Sequence, residues 1–260
     1  RIVAVCFLSS LIFVQIMKKV AIFLKVLDVP NDPRKIHKKP MPLLGGLGIF
    51  FAFLLGYMLF APKNNLMIAV LIGSFLIMLL GLFDDMTKSE TPMPNKYKVL
   101  VQLIVAAIVV FYGGLELTKI TLFGMTITFT SIPFLSEFLS ILIIVATINA
   151  INLIDGLDGL CAGISSIYFL TIAIIGFILN KFGGLDVILS LIMLGSTLGY
   201  LVHNFPPAKI FMGDTGSLFL GFMISVIALL GYKVTTFTSL VVPIVVLALS
   251  LIHISEPTRL

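Results

Sequence analysis

A chain of 260 residues that is 59% hydrophobic and only 11% charged is not an ordinary soluble domain, in which about 25% of residues are charged. A fold of this size turns much of its apolar surface outward, so lipid must cover what the core cannot hide. Two Cys and a net charge of +5 on such a chain exclude a disulfide-framed secreted module, a disordered tail and a basic nucleic-acid-binding domain.

A hydrocarbon layer of roughly 30 Å is crossed by about 20 mostly apolar helical residues. In chain order such runs are expected at 2–24, 43–61, 66–83, 99–113, 136–153, 159–180, 185–203, 216–232 and 237–254. The fourth run is short and has room to start earlier, at Lys96. The first begins beside Arg1 and meets no A-x-A cleavage site before Lys18 and Lys19, so it reads as a retained span and not a signal peptide. The fold class is therefore all-α, a polytopic integral membrane protein with 1–254 as a single transmembrane domain. Cys6 and Cys161 both fall in apolar runs and read as small core residues.

Alternation of the spans puts loops 25–42, 84–98, 154–158 and 204–215 on one side. In or beside them lie Lys18, Lys19, Lys25, Arg34, Lys35, Lys38, Lys39, Lys88, Lys96, Lys98 and Lys209, eleven bases, against Lys63, Lys119, Lys181 and Lys233 on the other side. That bias makes the four loops cytoplasmic. Tyr57, Tyr97, Tyr112, Tyr200 and Tyr232 lie near span ends, where this residue anchors helices in the absence of Trp. Segment 114–135 is the one long external loop, and the alternation of Thr118, Ile120, Leu122, Thr126 and Thr128 predicts a short hairpin in it. No internal repeat supports an inverted-repeat transporter.

Five of the twelve acids, Asp84, Asp85, Asp155, Asp158 and Asp214, fall at three span ends on the cytoplasmic side. At mid-bilayer each would cost about 2.5–3.5 kcal/mol; at the rim that penalty largely disappears. Carboxylates gathered there beside Lys residues suit a divalent cation holding a phosphorylated ligand, because Mg²⁺ takes one or two carboxylates plus phosphate oxygens. Each cluster also has a plainer use. Gly81-Leu-Phe-Asp84-Asp85 would serve simply to end a span with a solvated acidic pair, and beside Lys88 and before Lys98 it is equally what a pyrophosphate site needs. Asn149, Asn152 and Asp155 are spaced to share one helix face, and Asp158-Gly159 follows at once; so many amides and carboxylates in ten residues exceed what capping needs. In His203-Asn204-Phe-Pro-Pro-Ala-Lys209 and Phe211-Met-Gly-Asp214-Thr215-Gly-Ser217, either Asp214 or Thr215 would cap the next helix, and a helix N-terminus also favours a bound phosphate. The first loop, Asp28 to Gly46, would by itself enforce topology or attract anionic lipid head groups.

Taken together, the stretches Asp28–Gly46, Gly81–Gln102, Asn149–Gly163 and His203–Gly221 resemble the polyprenyl-phosphate N-acetylhexosamine-1-phosphate transferases, in order and spacing. The Asn-x-x-Asn-x-x-Asp-Gly-Leu-Asp-Gly and Phe-Met-Gly-Asp-Thr-Gly-Ser blocks are the specific ones. Pro-x-x-Arg-Lys-x-His followed by Pro-x-Pro-x-x-Gly-Gly is similar to the branch that transfers GlcNAc 1-phosphate for teichoic acid, O-antigen and similar polymers. The resemblance implies a bacterial cytoplasmic-membrane enzyme with its active site on the cytoplasmic face. It would move the sugar 1-phosphate from a UDP-N-acetylhexosamine to undecaprenyl phosphate and release UMP. It implies Mg²⁺ (or Mn²⁺) held by Asp214 with Asn152 beside it, and catalytic or nucleotide-binding roles for Asp84, Asp85, Asp155 and Asp158. Substrate contacts would come from Asn149, Lys98, Phe211, Arg34 and His37. The bilayer is the remaining partner, a homodimer is compatible, and no nucleic acid is expected. In-line attack of the lipid phosphate and a two-step route through an aspartyl phosphate both fit.

The family expectation is eleven spans, with a His-rich cytoplasmic loop that this sequence does not carry. From Ser250 the text Leu-Ile-His253-Ile-Ser-Glu-Pro-Thr-Arg-Leu departs from the family, so 250–260 reads as a non-native tail on a truncated chain, and if the truncation is real little activity is expected. The competing class, a transporter or channel for a small anionic solute, would want charges at mid-span along a pore.

Overall fold

The computed structural model describes residues 1–30, 39–87, 93–122, 125–129, 132–179 and 183–232; of these, the side chains of 120–127 and of Tyr232 are not described. Eight α-helices follow one another: α1 (Ile2–Phe23), α2 (Gly45–Phe60), α3 (Asn65–Thr87), α4 (Asn95–Ala107), α5 (Leu135–Ile154), α6 (Leu160–Ile178), α7 (Leu185–Asn204) and α8 (Gly213–Tyr232). α4 runs on through a wider π-turn, Ile108–Tyr112, so this rod starts at Asn95 and not at 99. Among the described residues seven helices are long and apolar enough to cross a membrane. α2, with 16 residues, reaches about 24 Å at 1.5 Å per residue. The ninth expected run, 237–254, and the tail lie outside the described residues.

The described residues also hold two small antiparallel pairs. Leu27–Asp28 (β1) pairs with Met41–Pro42 (β2) across the first loop, which hydropathy does not foreshadow. The expected hairpin forms between Lys119–Leu122 (β3) and Met125–Thr128 (β4), with Thr121 opposite Thr126.

α8 is the axis of the bundle. Its spanning window is wholly buried, with α2, α3, α5, α6 and α7 packed around it. A helix apolar on all sides belongs in such a place. The rings of Phe50 and Phe53 on α2 meet Phe219 of α8 edge-on, at centroid separations of 5.5 and 5.2 Å, a geometry that adds about 0.5–1.5 kcal/mol per pair to area burial. The outer helices show the opposite pattern. Leu8, Ile12 and Ile16 on α1, Ile68, Ile72, Phe75 and Leu79 on α3, and Ile167, Leu170 and Ile174 on α6 are exposed at helical spacing. Apolar stripes of this kind on several helices need lipid as their solvent, and the molecule is an all-α, multi-pass membrane protein.

The segments expected on one face do meet. The Phe211 N–H donates to Pro42 O at 2.8 Å, and the Gly45 and Gly46 N–H groups donate to Phe211 O and Met212 O at 2.9 and 3.0 Å. Asp158 Oδ2 accepts from Ala208 N at 2.9 Å. The described parts of the α1–α2, α5–α6 and α7–α8 connections thus meet at one end of the bundle.

One expectation is corrected here. α3 does not stop at residue 83 but continues to Thr87, so Asp84 and Asp85 belong to its last turns. Both are buried, at 2% and 3% exposure, which rules out the plainer of the two readings, a solvated acidic pair. Burial is tolerated because each carboxylate has found donors, as follows.

Candidate active site

Lys98, on the first turn of α4, is the hub. Its Nζ lies 2.7 Å from Asp84 Oδ2 of α3 and 2.8 Å from Asp214 Oδ2 of α8. The consecutive helices α3 and α4 and the distant α8 therefore converge on one ammonium group, which offsets two carboxylates that would otherwise repel. Asp84 Oδ1 is buried and has no hydrogen-bond partner among the described residues. Asp85, the next residue, turns the other way. Its Oδ1 accepts from Asp214 N at 2.8 Å, and its Oδ2 accepts from Thr215 N at 2.9 Å and Thr215 Oγ1 at 2.6 Å. The first turn of α8 thus receives its cap from another helix, whereas the sequence offered Asp214 or Thr215 for that purpose.

Close backbone approach makes this geometry accessible. A Cβ on Gly81 would lie 2.5 Å from both Thr215 Cα and Thr215 N, so α3 reaches the start of α8 only because that position carries no side chain.

α5 lines the other side of the same turn. Asn152 Nδ2 donates to Ser217 Oγ at 2.8 Å, and Ser217 Oγ donates to Gly213 O at 3.1 Å. One turn earlier, Asn149 Nδ2 donates to Gln102 Oε1 at 2.6 Å and to Val145 O at 2.7 Å, while Gln102 Nε2 donates back to Asn149 Oδ1 at 3.4 Å. Gln102 is wholly buried one turn along α4 from Lys98. Asp155, half-buried, ends α5, and Asp158 is exposed on the α5–α6 turn. That turn is locked to the α7–α8 loop a second time by buried Asn204, whose Oδ1 accepts from Gly159 N and whose Nδ2 donates to Ile210 O, both at 2.9 Å. Phe211 is half-buried on the α7–α8 loop against the core, its backbone pinned by Pro42 and Gly45.

Asp84, Asp85, Lys98, Asp214, Asn149 and Asn152 are thus gathered around the start of α8, while Asp155, Asp158 and Phe211 sit on the turns beside it. Arg34 and His37 lie outside the described residues. Gln102, Asn204, Thr215 and Ser217 belong to the same framework without having been singled out as site residues. A polar Gln inside an apolar helix, one turn from Lys98, was the available signal for the first of these.

Among the described residues no set of three or more His, Cys, Asp or Glu side chains converges as a closed metal cage. Mg²⁺ does not need one, because one or two carboxylates complemented by substrate phosphates and water suffice. Asp84 and Asp214 already share one cationic group, and Asp84 offers a further oxygen without a described partner. This donor set fits a hard cation.

A membrane bundle that collects carboxylates, amides and one lysine at a single rim has the makings of a membrane enzyme acting on an anionic substrate. Residues 67–232 match the model of glycosyl transferase family 4, and the chain belongs to that family. It is 42% identical over 94% of its length to a Bacillus subtilis protein named as a probable undecaprenyl-phosphate N-acetylglucosaminyl 1-phosphate transferase, and it spans 66% of that protein. It is 34% identical over 74% of its length to the decaprenyl-phosphate N-acetylglucosaminephosphotransferase of Mycolicibacterium smegmatis, of which it spans 50%. A phospho-N-acetylmuramoyl-pentapeptide-transferase from Caldanaerobacter subterraneus is 31% identical over 97% of the chain, which spans 77% of that relative.

Proposed function

We propose that the protein transfers an N-acetylhexosamine 1-phosphate, with GlcNAc 1-phosphate as the preferred group, from a UDP-sugar to undecaprenyl phosphate, releasing UMP on the cytoplasmic face. The observation that carries this reading is the Asp84–Lys98–Asp214 bridge at the bundle rim, within a family whose relatives carry polyprenyl-phosphate transferase names. The rim is where a nucleotide arriving from water and a lipid phosphate held in the bilayer can meet.

Asp84 and Asp214 would hold the Mg²⁺, with Asn152 next to them on the turn of Ser217. When bound there, Mg²⁺ supplies charge neutralisation and orientation for the pyrophosphate. Lys98 orients phosphate oxygens with its ammonium, and Asn149 and Asn152 present amides along one helix face. Asp155 and Asp158, with Phe211, flank the nucleotide, and Arg34 and His37 of the first loop are further substrate contacts. The lipid phosphate attacks in line at the sugar-bearing phosphorus; the new P–O bond forms as the bond to UMP breaks. No base is demanded, because a phosphate monoester with a second pKa of about 6 is largely dianionic at neutral pH.

The test is UMP release from UDP-GlcNAc and undecaprenyl phosphate with Mg²⁺, comparing wild type with Asp214→Ala. A loss of at least 100-fold is expected. Undiminished turnover in the variant would remove Asp214 from the site, and transfer from a donor other than a UDP-N-acetylhexosamine would sink the assignment.

A further inference from the structure

Resting on that function, we infer that Asp85 is a positioning residue. Its carboxylate holds the first turn of α8 so that Asp214 is presented to Lys98 and Asp84, and it does not itself touch substrate. Both oxygens are committed, one to Asp214 N and the other to Thr215 N and Thr215 Oγ1, at 2.6–2.9 Å. Action as a base or nucleophile would first require breaking these bonds inside the protein. The loop is shaped to this carboxylate. Gly213 has φ +67, and a Cβ there would lie 2.6 Å from Asp85 Oδ1. An anion also suits the N-terminal end of a helix, where free N–H groups and the helix dipole both favour it.

The consequence for Asp214 is direct. Its backbone N–H is gripped by Asp85, while its side chain leaves toward Lys98 at 2.8 Å. Adjacent Asp84 returns to the same ammonium at 2.7 Å. α3 therefore holds α8 along two paths, one rigid through the backbone and one through the end of a lysine. Without the first, only the flexible path sets the separation of the two metal-facing carboxylates. Asp85→Asn replaces an acceptor with an NH₂ group that confronts the donors. Thr215→Val removes one of the three bonds, and Thr215→Ser keeps the hydroxyl.

The experiment uses the whole chain in lipid nanodiscs, with two readouts beside turnover. The first is amide exchange in peptides covering 213–216. Asp85→Asn is expected to speed it at least tenfold there and leave exchange elsewhere unchanged, with Thr215→Val moving the same way by less and Thr215→Ser matching wild type. The second is Mn²⁺ affinity by electron paramagnetic resonance. Groups that orient metal ligands typically contribute about 10–100-fold to affinity, so a loss of that size is expected in Asp85→Asn. Unchanged exchange and unchanged Mn²⁺ affinity alongside lost turnover would overturn the inference and return Asp85 to the chemistry. If Asp85→Asn does not fold, the Thr215 pair decides, since equal exchange in Val and Ser would overturn it equally. Should wild type and Asp214→Ala bind Mn²⁺ alike, the metal-site assignment fails instead, and the exchange data still judge the Asp85 grip.

Discussion

The sharpest mechanical consequence of the site concerns Gly81. A methyl group there would be 2.5 Å from Thr215 Cα and N and 2.6 Å from Asp214 C, whereas carbon atoms settle at about 3.5–4.0 Å. About 1 Å of separation must open, and the obstacle is backbone on a buried helix, not the end of a side chain that can rotate away. Overpacking of this kind costs about 1–3 kcal/mol, which a bundle of this size can survive. The effect on chemistry is larger, because Gly81 lies one turn before Asp84 and Asp85. Moving α3 by 1 Å moves Asp84 relative to Asp214, and a 1 Å misplacement of reacting groups costs about 100-fold in rate. Gly81→Ala is therefore expected to remain folded with a small fall in Tm, and to transfer labelled sugar phosphate to lipid about 100-fold more slowly. Gly163→Ala is the control, since nothing lies within 4 Å of its Cβ position, and it should match wild type. Retention of more than half the wild-type rate by Gly81→Ala would refute the claim that the α3–α8 separation sets the site.

Two more outcomes follow from the same geometry. Lys98→Ala leaves the Asp84 and Asp214 carboxylates without their shared ammonium; breaking such a largely buried set costs about 3–5 kcal/mol, and added Mg²⁺ should then raise Tm more in the variant than in wild type, a difference whose absence would argue against a cation site there. Asn204→Ala strands the Gly159 N–H and leaves the Ile210 carbonyl only the longer bond from the Tyr200 hydroxyl at 3.4 Å, at about 1–3 kcal/mol for a group left unpaired; exchange should rise in both 156–160 and 207–212, and a rise in only one would show that the two turns are not locked through this side chain.

Hydropathy locates the eight helices of the described residues because a spanning helix is defined by its solvent, and alternation of the spans brings the right connections together because it fixes which loops share an end. The failures share a cause. In the sequence α3 looks finished at residue 83 because two aspartates resemble a stop, yet Asp84 is held by Lys98 and Asp85 by the α8 backbone, partners 14 and more than 100 residues away that no local window can see. The β1–β2 pairing is missed for the same reason: Leu27 and Pro42 are brought opposite each other across a loop. Within the site, residue type and spacing pointed to Asn149 and Asn152, but not to Gln102 as the partner of Asn149 or Ser217 as the partner of Asn152. Nor does sequence distinguish the members of an Asp-Asp pair. One aspartate turns to a cation and the other to peptide N–H groups, because consecutive residues on a helix point about 100° apart.

The Asp85 grip also sets a clock. Its donors on α8 lie 129 and 130 residues further along the chain, and a ribosome adding about 5–20 residues per second delivers them roughly 6–26 seconds after Asp85 itself has been made. Through that interval α3 holds a carboxylate with no peptide N–H groups to receive it. Its station at the end of a span, in reach of water, allows a nascent helix to wait in the membrane until the last wall of the site arrives.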